Sequence, residues 1–89
     1  MQPAKDIAVP SIWLNGTSEE KLLEDLANAR TAIKAAIEAL CVTAPNSRDY
    51  YPQGTAAYEK ARHAHILRLE ALHKLNGELV EIAEGIIFR

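Results

Sequence analysis

The residues best placed to do chemistry are Glu70 and His73, because a Glu-x-x-His step sets a carboxylate and an imidazole on one helix face. Paired copies of that step, joined by glutamates from facing helices, hold di-iron centres in four-helix bundles. Glu24 becomes the facing glutamate if opposed residues of two antiparallel helices have numbers that sum to about 95. A dimer of such chains then has the ligand count a di-iron site needs. The same residues also have plainer duties. Glu70 stands four before Lys74, the favourable order for a helical ion pair, and Glu24 lies in a charged stretch between Leu23 and Asp25. The metal bundle built on Glu24, Glu70 and His73 is therefore the alternative reading, and the main reading carries no cofactor.

The remaining polar candidates read as structural. His63 and His65, two apart on a helix, face different ways and cannot chelate together. Glu59 and His63 form an i,i+4 pair that suits a solvated surface. His65 and Arg68 fall on an apolar stripe, so both are expected at a helix–helix contact, either packed by their stems or forming a polar layer that fixes register. Cys41 closes a helix, the opposite end from the one that activates a thiolate, and structural burial is the expectation. The segment Arg48-Asp49-Tyr50-Tyr51 gathers a planar cation and two aromatics, types that recur in binding hot spots. It is the candidate partner-binding tip, although the tyrosines can equally lie back and seal the helix ends.

These residues need elements to position them, and the sequence supplies two helices. Thr17-Ser18-Glu19-Glu20 is a helix start, with either hydroxyl able to cap and Thr17/Glu20 at capping-box spacing. Leu22, Leu26, Ala29, Ile33, Ala36 and Leu40 then recur at steps of four and three, a coiled-coil-type seam that predicts helix 1 over 18–41. Pro45-Asn46 and Pro52-Gln53-Gly54 punctuate a connection over 42–54, and helix 2 is predicted over 55–87 with a possible bend at Gly77. Residues 1–16, broken by Pro3, Pro10 and Gly16, form an extended arm that Ile7, Val9, Ile12, Trp13 and Leu14 should tie down.

Helix 2 has two apolar stripes: Tyr58, Ala61, Leu72, Leu75, Leu79, Ile82 and Ile86, and, offset from it, Ile66, Leu69, Val80, Ala83 and Ile87. One partner helix cannot cover both, and helices apolar on two faces are generally buried on two. The fold class is therefore all-α, an antiparallel two-helix hairpin with an extended N-terminal arm, assembling into a four-helix or larger bundle. The second stripe is the expected oligomer interface. By the level rule above, helix 1 runs out near residue 78, leaving residues 80–88 as an apolar overhang for the arm to fold over.

Composition agrees with a single small domain. Eighty-nine residues bury too little surface to be robust alone, and one cysteine permits no internal disulfide. Ten Lys+Arg against twelve Asp+Glu leave no general electrostatic grip on nucleic acid. An accessory nucleic-acid role through Arg48, Tyr50, Tyr51, Lys60 and Arg62 is a minor reading. No apolar run reaches the ~20 residues that span a bilayer, and residues 1–9 lack the features of a secretory signal, so a cytoplasmic protein is expected. Neither a nucleophile–base pair nor a phosphate loop is present, which disfavours an ordinary metal-free enzyme.

The run Pro45-Asn46-Ser47-Arg48-Asp49-Tyr50-Tyr51-Pro52-Gln53-Gly54, followed by Ala61, His65, Arg68 and Leu72 at helical spacing, resembles small helical proteins of bacteriophage and prophage genomes over residues 43–80. The resemblance brings no catalytic motif. It implies a binding or structural role, such as a virion, assembly or accessory factor. The expected partner is a second copy of the chain, with another protein at the 43–54 connection.

Overall fold

A computed structural model describes residues 7–89; residues 1–6 of the expected arm lie outside the described residues. Helix α1 spans Glu19–Cys41, a seven-residue 3-10 helix spans Ser47–Gln53, and helix α2 spans Thr55–Ile87. No strand occurs among the described residues, and the two long helices pack against each other as a hairpin.

Local chemistry sets the helix ends. Ser18 is the N-cap of α1, its hydroxyl accepting from the Lys21 N–H at 3.1 Å, and Glu19 and Glu20 stand at the positive end of the dipole. The chain stops at Cys41, and the Thr43 hydroxyl donates to the Leu40 carbonyl at 2.7 Å. The 3-10 helix starts where the Asn46 side chain accepts from the Arg48 N–H at 2.9 Å. It ends at Gly54, whose φ of 97° lies in the region that only glycine enters freely. Helix α2 runs through Gly77 without interruption, and a Cβ there would meet nothing within 4 Å. The Arg89 guanidinium closes α2 by donating to the Ile86 carbonyl at 2.7 Å.

The register of the hairpin differs from the sequence expectation. Arg30 Nε donates to Asn76 Oδ1 at 3.1 Å, and Arg89 pairs with Glu19 at 2.8 Å. Residues level with each other thus have numbers that sum to about 107, not 95. The cause is the connection. Instead of turning midway between the helices, it runs back alongside the start of α2, where Tyr50 stacks on Tyr58 with ring centroids 6.3 Å apart. Cys41 then falls level with about residue 66, and roughly the first three turns of α2 extend past α1.

Two further expectations change with the register. Residues 80–88 are not an overhang, because α1 runs beside them to Arg89. The arm nevertheless meets them: a Cβ built on Gly85 would lie 2.8 Å from Val9 Cγ2, so Val9 rests directly on this glycine of its own chain. The α1 seam is also turned. Leu22, Leu26, Ile33 and Leu40 are half-buried as expected, but Ala29 and Ala36 are exposed, and Leu23 and Ile37 take their places. A branched side chain one position further round fills the groove against α2 better than a methyl group does.

The core is very small. Ile86 is the one apolar side chain buried among the described residues, at 0% exposure, while Leu14 is 95% exposed and Trp13, Val42, Phe88, Ile87 and Leu67 are all exposed. The radius of gyration is 18.5 Å and the extents are 62 × 29 × 17 Å. A compact chain of this length has a radius near 12 Å. The molecule is a thin, elongated plate.

Candidate association surfaces

The plate offers two ends and two broad sides. At one end the arm, the start of α1 and the finish of α2 come together. Trp13 lies against Gly16, where a Cβ would approach its indole to 2.7 Å, and Val9 lies against Gly85. Val9, Trp13, Leu14, Ile87 and Phe88 remain exposed there, and Glu19–Arg89 is the ion pair of this end.

The other end carries the predicted tip. Arg48, Asp49 and Tyr51 are exposed, Tyr51 by 71%, whereas Tyr50 is half-buried against Tyr58. The two tyrosines therefore divide the roles expected of them: Tyr50 seals the connection onto α2 and Tyr51 stands free. Between them lies a recess of about 170 Å³ lined by Ser47, Tyr50, Tyr51, Gly54, Thr55 and Tyr58. It is large enough for one side chain and has hydroxyls at its rim.

The broad sides differ in charge. A groove of about 550 Å³ runs along one of them, bounded by Arg30, Thr31, Lys34, Ile37 and Glu38 of α1 and by His73 and Asn76 of α2. Helical geometry at about 100° per residue sets Ile66, Leu69, Val80 and Ile87 on the α2 flank of this same side. Ile66 and Ile87 are exposed, Leu69 and Val80 are half-buried, and Ala83 is half-buried on the line facing α1. The predicted oligomer stripe thus adjoins a row of ionised side chains.

The opposite side carries Ala29, Ala32 and Ala36 of α1 beside Ala64, Ala71, Leu75 and Ile82 of α2. The alanines of α1, Ala71 and Leu75 are exposed, and Ala64 and Ile82 are half-buried. Its charges stand in the same rows, Asp25 a turn before Ala29 and Arg68 a turn before Ala71. Asp25 is already paired to Lys21 at 2.8 Å, and Arg68 is an exposed, long-stemmed cation toward the tip. Sequence reasoning missed this side because it assigned Ala29 and Ala36 to an α1 seam facing α2, and Leu75 and Ile82 to an α2 stripe facing α1.

The predicted metal residues are not brought together within the chain. His73 lines the groove beside Arg30 and Lys34. Glu70 is exposed, and Glu24 falls level with about residue 83, roughly 15 Å along the axis from His73. Among the described residues no group of three or more His, Cys, Asp or Glu is placed to hold a metal ion. His65 is buried, at 7% exposure, and among the described residues no fully enclosed polar side-chain atom lacks a hydrogen-bonding partner. Arg68 is exposed rather than packed with it. Cys41, expected to be buried, is exposed at the end of α1. Arg62 shares its charge with Glu59 at 3.3 Å, and Lys60 is exposed. No helix among the described residues is long and apolar enough to cross a membrane.

No family model matches this chain, and neither a curated protein nor a solved structure matches it significantly.

Proposed function

We propose that this chain is a non-enzymatic association module, a helical hairpin that self-assembles along a broad side and presents its tip to another protein. The observation that carries the reading is the deficit of burial. One apolar side chain, Ile86, is fully enclosed among the described residues, and the accessible surface is 6707 Å². A compact monomer of 9.8 kDa exposes about 5,200 Å². The surplus, about 1,500 Å², exceeds the ~800 Å² that one partner contributes to an interface of standard size. A two-helix plate that buries so little gains its missing core by stacking on a like plate.

At the tip, Tyr51 and the adjoining recess supply an exposed aromatic next to a pocket, the pairing that anchors protein–protein contacts. The resemblance of residues 43–80 to phage and prophage proteins favours a structural or assembly setting for such a module. The test is the solution mass, measured by light scattering during size-exclusion chromatography over a wide concentration range. A dimer or larger species is the expected result. A monomer at every concentration overturns the self-assembly.

A further inference from the structure

We propose that the groove between the helices binds a small, hydroxylated phosphate monoester, with Arg30, Lys34 and His73 around the phosphate. The site is complete within one chain and does not depend on self-assembly.

The groove holds about 550 Å³, the size of a small-molecule site. Helix geometry makes its cations converge. Arg30 and Lys34 are one turn apart on one face of α1, and level residues summing to about 107 set Lys34 opposite His73. The α2 wall changes character at the same level. Ile66, Leu69 and Val80 follow one line along α2, and His73 and Asn76 interrupt that line where Arg30 and Lys34 face it.

The donors at this level are free for a ligand. Arg30 Nε donates to Asn76 Oδ1 at 3.1 Å, which holds the guanidinium at the groove wall and leaves its two Nη groups. Among the described residues neither Arg30 nor Lys34 has a carboxylate within ion-pair distance, whereas Lys21, Arg62 and Arg89 are each paired. His73 supplies an N–H whichever tautomer it adopts. Donors gathered at one level suit the compact, doubly charged head of a monoester. A nucleic-acid backbone instead needs cations tracked along its length.

Acceptors set the body of the ligand. The Thr31 hydroxyl donates to the Ala27 carbonyl at 3.0 Å, so its oxygen is left only to accept. Glu38 is the one carboxylate lining the groove, a turn beyond Lys34 and about 6 Å further along the axis. Neither group welcomes a second oxyanion, and both accept from hydroxyl groups on an organic body lying along Ile37.

The test titrates the full chain with glucose 6-phosphate and with inorganic phosphate, followed by amide NMR shifts. Saturable shifts centred on Arg30, Thr31, Lys34, His73 and Asn76 are expected, with the sugar phosphate binding more tightly. Arg30→Gln and Lys34→Gln should each weaken binding about tenfold, the loss of one charge-assisted contact. Arg68→Gln, on the opposite side and with the same change in net charge, should leave it unaltered. Glu38→Ala should narrow the preference for the sugar phosphate over phosphate. All four positions are exposed, and circular dichroism checks that helix content is unchanged. Shifts that do not saturate, or equal weakening by Arg68→Gln, would reduce the groove to an ordinary counter-ion surface and overturn the site. Equal binding of the two probes overturns the hydroxylated class. Tighter binding of a DNA oligonucleotide at equal phosphate concentration overturns the monoester in favour of a nucleic-acid backbone.

Discussion

Two glycines in α2 give a direct measure of whether the N-terminal arm is part of the folded unit. Gly77 faces open space, so alanine there recovers the intrinsic cost of a helical glycine, roughly 0.5–1 kcal/mol. Gly85 has the same backbone cost, but its Cβ would stand 2.8, 3.0 and 3.4 Å from Val9 Cγ2, Cγ1 and Cβ. Carbon atoms prefer about 3.5–4.0 Å, so Val9 must retreat by close to 1 Å. Valine is short and stiff at χ1, so the retreat has to be made by the arm backbone. Val9 is 41% exposed, and displacing its buried part forfeits about 1 kcal/mol. Gly85→Ala is therefore expected to be neutral or destabilising where Gly77→Ala stabilises. In a Val9→Ala background the obstruction is gone, and Gly85→Ala should regain its helical benefit, a coupling of about 1 kcal/mol in the double-mutant cycle. Urea unfolding followed by far-UV circular dichroism reads this, at one fixed protein concentration because association shifts the midpoint. Equal stabilisation by Gly77→Ala and Gly85→Ala in the unmodified chain would refute the placement of the arm.

Two other substitutions probe the hairpin itself. Ile86→Ala removes the one apolar side chain fully enclosed among the described residues and is expected to cost about 2–5 kcal/mol, enough to lower the thermal midpoint steeply or to leave the chain unfolded. Ser18→Ala deletes the hydroxyl that caps α1 and should cost about 1 kcal/mol, visible as fraying of the first turn in amide exchange, whereas Thr17→Ala should cost less than half as much.

The helices were legible because each is written locally. The uninterrupted 3-4 spacing from Leu22 to Leu40, the acidic first turn and the Pro52–Gly54 break need no tertiary information. The register was not legible, and every site that depended on it moved. Asn46, Tyr50 and Gly54 cooperate in a 3-10 helix that doubles back along α2, and nothing in their spacing distinguishes that path from a plain turn. The consequence reached Glu24, which the shorter connection would have set opposite Glu70 and His73. It reached the α1 seam as well: Ala29 and Ala36 keep the period of a contact row, but period alone does not separate a row that faces its own hairpin from one that is exposed.

That ambiguity carries a physical lesson for the assembly. A methyl group contributes little to holding α1 on α2, so alanines at core spacing serve the helix chiefly through their propensity and through the close approach they permit. The structure turns Leu23 and Ile37 inward and leaves Ala29, Ala32 and Ala36 exposed. Asp25 and Arg68 stand in the rows of that side, so both broad faces of the hairpin carry charge, with Arg30, Lys34 and Glu38 along the groove.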